Sequence, residues 1–198
     1  MLLQTLYRPV GLKELELIAD SNFKAFPPRF DWQPIFYPVL NSPYATEIAE
    51  KWNAKDAASD YVGFVTKFEL PTTYLKQFEV QNVGGSIHNE LWIPSAQLAD
   101  FNAHIIGTIH VESVFYGPQY KGMTTTGNRL KEMTVDEQWA YLLSIAEDSL
   151  LLTTIIKEDW LALLVNFSYF NEIKTDSFLF SQIRYYWHQL HPNLKLFV

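Results

Sequence analysis

The sequence GGSIHNELWIP, residues 84–94, places a carboxylate at the start of an apolar segment. Leu91, Trp92 and Ile93 are typical of a buried strand, and Pro94 ends it because proline lacks the N–H that a sheet ladder needs. The two glycines before the polar residues are expected to let a ligand approach the backbone closely. The stretch therefore predicts a rigid strand that holds Glu90 at its mouth, beside a flexible glycine pair.

Short strands and helices alternate on both sides of this stretch. We predict a fold of the α+β class over residues 1–117, with a mixed, mostly antiparallel sheet and short helices. Ser42 and Ser95 are the predicted N-caps of two of the helices. The predicted strands cover residues 2–7, 35–37, 61–70, 89–94 and 107–117, and the predicted helices cover residues 11–23, 42–56, 71–78 and 95–105.

The composition changes near residue 117. Residues 118–133 are rich in glycine and threonine and are interpreted as a linker. Residues 134–198 form a predicted helical C-terminal segment of three helices. Thr134 and Glu137 have the spacing of a capping box at the first of these helices, and Asp176 is the predicted cap of the last.

Composition and charge limit the classes of function. Of the 198 residues, 48% are hydrophobic and 19% are charged, which predicts a folded chain with a full core. The net charge of −7 disfavours general attraction to nucleic acid or an anionic membrane, although a local basic groove stays possible. The absence of cysteine excludes disulfides and thiolate metal sites. With no signal-peptide pattern and no long apolar run, we expect a cytoplasmic protein without a membrane span.

Three features carry the functional hypothesis. Arg8 ends the opening strand, Tyr37 and Tyr44 flank a junction between a loop and a helix, and Glu90 begins the strand described above. Each also has a simpler interpretation, as a solvated arginine, an aromatic core and an edge carboxylate respectively. No glycine-rich phosphate loop, nucleophile elbow or metal-ligand cluster accompanies them.

In this order the three features resemble the layout of the ADP-ribosyltransferases. The resemblance implies that Arg8 contacts the phosphate or ribose of NAD, which is the substrate, and that Tyr37 and Tyr44 pack on nicotinamide. It also implies that Glu90 stabilises the oxocarbenium-like transition state as nicotinamide leaves. Thr66 lies where the family has a Ser-Thr-Ser strand motif. His88 lies two residues before Glu90, where arginine-modifying members have glutamate and asparagine-modifying members have glutamine.

The chain also resembles a group of small bacterial proteins labelled "ADP-ribosylation/crystallin J1" over about residues 6–115. The shared runs are LYRPVG…ELELI, then AFPPR…QPIFYPVLN, then VGG…H.E.WIP. Two functions follow as expectations. The first is an NAD-dependent ADP-ribosyltransferase-like protein that acts on an unknown macromolecular target. The alternative is a non-catalytic binding protein, such as an immunity or antitoxin partner, whose acidic charge suits a basic partner protein.

Overall fold

The computed structural model describes residues 1–197 and divides the chain into two compact units, Met1–Tyr120 and Lys121–Val198. Within the described residues there are eight α-helices and seven strands, and every strand pairing is antiparallel. The expected α+β class with antiparallel sheets and C-terminal helices is therefore confirmed. No helix among these residues is long and apolar enough to cross a membrane.

The first unit is built on a three-stranded sheet in the order β1-β3-β7. These strands are β1 (Leu3–Val10), β3 (Val62–Pro71) and β7 (Ile106–Tyr116). β3 is rich in valine and phenylalanine and is buried along most of its length, as a central strand with neighbours on both edges should be. The register of β3 against β7 shifts between Val65 and Thr66, which marks a local irregularity at the middle of the sheet.

The predicted strand at residues 89–94 is divided in two by Trp92. β5 (Asn89–Leu91) pairs with β4 (Val80–Asn82), and β6 (Ile93–Pro94) pairs with β2 (Ile35–Phe36). The segment therefore changes partner within six residues. Sequence periodicity could not show this change, because it depends on which distant segments lie alongside.

Val39 joins this segment to the central sheet. Its N–H donates to the carbonyl of Tyr7 at 2.7 Å, and its carbonyl accepts from the N–H of Tyr7 at 2.9 Å. On its other side Val39 forms an antiparallel bridge with Glu90. The backbone of Glu90 is thus held between Val39 and Gln81 of β4.

Four helices complete the first unit. They are α1 (Leu12–Asp20), α2 (Ser42–Lys51), α3 (Thr72–Leu75) and α4 (Leu98–Ala103). The prediction that Ser42 caps α2 is wrong, because the side chain of Asn41 accepts from the N–H of Tyr44 at 2.9 Å. The cap predicted at Ser95 is also wrong, since a 3₁₀ turn over Ser95–Gln97 precedes α4 and neither element has a side-chain cap.

Helix α2 packs closely on the central sheet. A Cβ atom at Gly63 of β3 would lie 2.4 Å from the carbonyl oxygen of Ala49 in α2, so only glycine permits this approach. The helix contributes Tyr44, Ala45 and Ala49 to a buried cluster, and Val39 belongs to the same cluster. Tyr44 is therefore fixed against the sheet beside the strand bridge.

The second unit contains four helices where the sequence predicted three. They are α5 (Val135–Ser144), α6 (Ser149–Glu158), α7 (Trp160–Ile173) and α8 (Ser177–Leu190). The extra break arises at Asp148, whose carboxylate caps α6 by accepting from the N–H of Leu151 at 2.9 Å. The capping box of Thr134 and Glu137 and the cap at Asp176 are confirmed.

Buried polar contacts tie residues 121–133 to these helices. The carbonyl of Gly122 accepts from the amides of Gln138 and Asn166, both at 2.9 Å. The carboxylate of Asp159, which is 1% exposed, accepts from the N–H groups of residues 128, 129 and 130 at 2.6, 3.1 and 2.9 Å. These contacts fix the segment that leads into α5.

The cap of α2 gives a first prediction. We expect Asn41→Ala to lower the free energy of unfolding by about 1 kcal/mol, because it leaves the N–H of Tyr44 without its acceptor. Ser42→Ala is the matched control, since the Ser42 hydroxyl donates to exposed Glu112 and caps nothing. Urea denaturation measures both, and equal losses in the two variants would contradict the cap assignment.

Candidate functional site

Four of the six residues predicted from the sequence lie in one group. Tyr37, Tyr44, His88 and Glu90 are connected by side-chain contacts, and two further residues, Glu47 and Trp92, belong to the same network. We call these six residues the Glu90 cluster. Of the other two predicted residues, Arg8 reaches this group only through the backbone carbonyl of Tyr37, and Thr66 lies outside it.

Glu90 is held rigidly and is only 9% exposed. The indole N–H of Trp92 donates to its Oε1 at 2.6 Å. Both side chains are on the same face because they are two residues apart in an extended segment. A nearly buried carboxylate needs such a donor, because removal from water penalises its charge. Trp92 therefore stabilises the charge at the mouth of the apolar strand.

Tyr44 provides a second neutral group beside this carboxylate. Burial raises the pKa of the Tyr44 hydroxyl, and the negative charges of Glu90 and Glu47 and hydrogen bonding to Glu90 raise it further. Tyr44 thus keeps its proton well into the alkaline range and acts as a donor rather than as a base.

His88 is oriented by contacts at both ring nitrogens. Its Nδ1 accepts from the N–H of Gly85 at 3.0 Å, so the ring proton of the neutral imidazole is on Nε2, which lies 3.1 Å from Oε2 of Glu47. The ring also stacks on Tyr44, with centroids 4.5 Å apart. The pKa of the Glu47 carboxyl is lowered mainly by its hydrogen bond to Lys51 and also by its hydrogen bond to His88.

Gly84 and Gly85 both contact the ring of His88. A Cβ atom at Gly84 would lie 2.8 Å from Nδ1 of His88. Gly84 therefore makes room for the imidazole ring, whereas the sequence suggested that the glycines make room for a ligand. This local packing helps to fix the ring that stacks on Tyr44.

Tyr37 and Trp92 provide accessible aromatic surface next to Glu90. Their rings meet edge to face with centroids 6.1 Å apart, and the residues are 39% and 46% exposed. A flat ligand ring can stack on such faces, while Trp92 still donates its N–H to the carboxylate.

Arg8 lies on the other face of the sheet. Its strand neighbour Tyr7 packs with Tyr44, and successive residues of a strand point to opposite faces. The guanidinium is paired with Glu14 through Nε at 2.7 Å and Nη2 at 3.1 Å, and Nη1 donates to the carbonyl of Tyr37 at 3.3 Å. It also lies 4.7 Å from the ring centroid of Phe36.

Thr66 is the partner of Arg8 across β1 and β3. It is 0% exposed, and its hydroxyl donates to the carbonyl of Arg8 at 2.6 Å. The side chain therefore satisfies a backbone acceptor within the sheet, at the place where the register of β3 shifts.

Two residues of the Glu90 cluster were not predicted, although their spacing in the sequence indicates them. Trp92 follows Glu90 by two positions, which is the spacing of one strand face. Glu47 follows Tyr44 by three positions, which is the spacing of neighbours on a helix surface. By contrast, the contact of Arg29 with Glu14 at 3.9 Å joins a loop to α1 and has no sequence signal.

No group of three or more histidine, aspartate or glutamate side chains suited to a metal ion occurs within residues 1–197. Comparison with family models, curated proteins and solved structures finds no match to the chain. The function must therefore be argued from the Glu90 cluster itself, which offers a carboxylate, a protonated tyrosine, an oriented histidine and two aromatic faces.

The coupling of Tyr44 to Glu90 gives a prediction about pH. A tyrosine whose pKa is raised on folding stabilises the folded state below its unfolded pKa of about 10, and the contribution is lost as pH rises towards the folded value. Glu90→Gln should lower the pKa of Tyr44 because it removes the adjacent negative charge. Tyrosinate absorbance, taken as the difference between each protein and its Tyr44→Phe counterpart, measures this pKa.

The matched control is Glu79→Gln, which removes an exposed carboxylate. It should leave the titration of Tyr44 unchanged. If both glutamine variants shift the curve equally, the coupling between Glu90 and Tyr44 is absent.

Proposed function

We propose that the first unit is an ADP-ribosyltransferase-like module that binds NAD at the Glu90 cluster and transfers ADP-ribose to a macromolecular target. One observation carries the proposal: the rigid, nearly buried Glu90 lies beside the partly exposed rings of Tyr37 and Trp92. This combination suits a ligand with a flat ring attached to a sugar that becomes cationic in the transition state.

Each group then has a chemical role. The rings of Tyr37 and Trp92 stack on nicotinamide, and Glu90 stabilises the positive charge that develops on the ribose as the bond to nicotinamide breaks. The charge of Glu90 must be available for this role, so the Trp92 hydrogen bond positions the carboxylate without neutralising it. His88 orients Tyr44 by ring stacking, and Tyr44 donates towards Glu90.

Arg8 can take part only by exchanging partners. All three nitrogens of its guanidinium contact Glu14 or the carbonyl of Tyr37. A phosphate of NAD would have to replace Glu14, and the ligand would have to pass the edge of the sheet at Tyr37. A role for Arg8 therefore requires the loss of its ion pair with Glu14.

The same observation favours a second candidate, a non-catalytic binding protein. With Arg8 paired internally and Glu90 bonded to Trp92, the exposed rings of Tyr37 and Trp92 are the groups most available to a partner. The net charge of −7 suits a basic partner such as a toxin, because complementary charge speeds association. In this candidate Glu90 holds Trp92 in place and performs no chemistry.

NAD binding and nicotinamide release test the two candidates. For the transferase, the purified protein binds NAD in calorimetry and releases nicotinamide to its target or to water. Glu90→Gln should slow release roughly 10²–10³-fold while changing NAD affinity little, because the lost charge acts mainly in the transition state. Glu79→Gln is the control for the change in net charge.

The outcomes separate the candidates. If millimolar NAD does not bind, the transferase proposal is wrong and the binding-protein candidate is favoured. If NAD binds but Glu90→Gln releases nicotinamide at the wild-type rate, the ligand is correct and Glu90 is not its catalyst.

A further inference from the structure

Two arginines of the first unit share one carboxylate. Glu14 pairs with Arg8 through two short contacts, while Nη1 of Arg29 lies 3.9 Å from Oε2 of the same carboxylate. The side chains of Arg8, Arg29 and Glu14 are 10%, 11% and 22% exposed. The three groups therefore carry a net charge of one positive unit in a largely buried place.

Arg29 is the incompletely paired member. Its Nε is buried and has no hydrogen-bond acceptor among residues 1–197. Burial and the nearby charge of Arg8 lower the pKa of Arg29, while the charge of Glu14 acts in the opposite direction. A buried donor without an acceptor costs free energy, and so do two buried positive charges that share one carboxylate. An additional anion would remove both costs.

The backbone presents Arg29 from a fixed position. Pro27 and Pro28 precede it and restrict the chain. Just before them, the side-chain amide of Asn102 donates to the carbonyl of Phe26 at 2.9 Å and accepts from its N–H at 3.0 Å. Arg29 is thus held in place before any ligand arrives, which lowers the entropic cost of binding.

We propose that Arg8 and Arg29 form a binding site for a phosphate-type oxyanion, with Glu14 as the internal counter-ion that the oxyanion displaces. Guanidinium groups bind phosphate through paired N–H donors, and Nε of Arg29 already lacks an acceptor. The inference rests on the proposed function only for the presence of a phosphate-bearing ligand. It adds Arg29 and Glu14 to the contact of Arg8 and requires no reaction at Glu90.

The residues after Arg29 indicate the source of the phosphate. Phe30 follows Arg29, and its ring is stacked on Trp32 with centroids 4.7 Å apart and planes 7° apart. The two residues are 61% and 76% exposed. A nucleotide can place its base on this aromatic pair while its phosphates reach the arginines, whereas free pyrophosphate can use the arginines alone.

Calorimetry of the full chain with pyrophosphate and with ADP tests the site. Arg29→Met should weaken binding of both ligands at least about tenfold, because it removes a charged pair of donors. Glu14→Gln should strengthen binding severalfold, because it removes the competing charge. Lys24→Met is the matched control, since it removes one exposed positive charge from the same loop and should change neither affinity. Circular dichroism confirms that each variant is folded.

The two sources of phosphate are separated by Trp32→Ala. If the site takes a nucleotide, this variant should bind ADP more weakly than the wild type and pyrophosphate equally well. If the variant and the wild type bind both ligands equally well, the site takes the free ion. Either result supports the oxyanion site. Failure of both ligands to bind at millimolar concentration, or equal losses in Lys24→Met and Arg29→Met, would overturn it.

The test is independent of the proposed transfer reaction. Pyrophosphate and ADP lack the bond between nicotinamide and ribose on which Glu90 is proposed to act, so their binding involves no reaction at that residue. If these ligands bind while NAD releases no nicotinamide, the transferase proposal fails and the oxyanion site stands. If NAD is cleaved but neither pyrophosphate nor ADP binds, the oxyanion site fails and the transferase proposal stands.

Discussion

The placement of Glu90 on the central sheet depends on one residue pair, Tyr7 and Val39, which exchange two backbone hydrogen bonds of 2.9 and 2.7 Å. Through Val39 the segment that carries Glu90 is attached to the edge of the three-stranded sheet. Without this connection β4 and β5 would be an isolated two-stranded ribbon, which is marginally stable in water. The position of Glu90 is thus a consequence of sheet extension at one residue, supported on either side by bonds from Leu40 to Asn89 and from Leu91 to Pro38.

A carboxylate can occupy the mouth of an apolar strand because its neighbours compensate its charge. The indole of Trp92 and the hydroxyl of Tyr44 are neutral donors, so they hydrogen-bond to the carboxylate without forming an ion pair. Arg8, in contrast, points to the other face of β1, and both arginines contact Glu14. The first unit therefore holds an acidic group with neutral donors and a basic group with too few acceptors, and Tyr37 contacts both, through its ring and its backbone carbonyl respectively.

Local sequence patterns correctly predicted the strands and helix caps that depend on interactions between residues close together in the chain. The valine and phenylalanine run of β3, the capping box at Thr134 and the cap at Asp176 were correctly identified because each depends on residues a few positions apart. Asn41 and Ser42 are both good capping residues, and only the final backbone path selects Asn41.

The remaining features depend on distant parts of the chain. The split of residues 89–94 is set by β2 and β4, and the pairing of Arg8 with Glu14 depends on how α1 turns back over β1. Such contacts decided which candidate residues meet. Tyr37, Tyr44, His88 and Glu90 share a network, although 53 positions separate the first from the last by their numbers.

The contacts of Gly122 and Asp159 determine where a shortened polypeptide containing the second unit can begin. A polypeptide that starts at residue 134 keeps all four helices of the second unit but loses the carbonyl that receives the amides of Gln138 and Asn166. It also loses the three N–H groups that surround the buried carboxylate of Asp159. We therefore expect the four helices to fold on their own only together with the non-helical residues from Lys121 onwards, because truncation at the start of the first helix would remove hydrogen-bond partners of buried side chains.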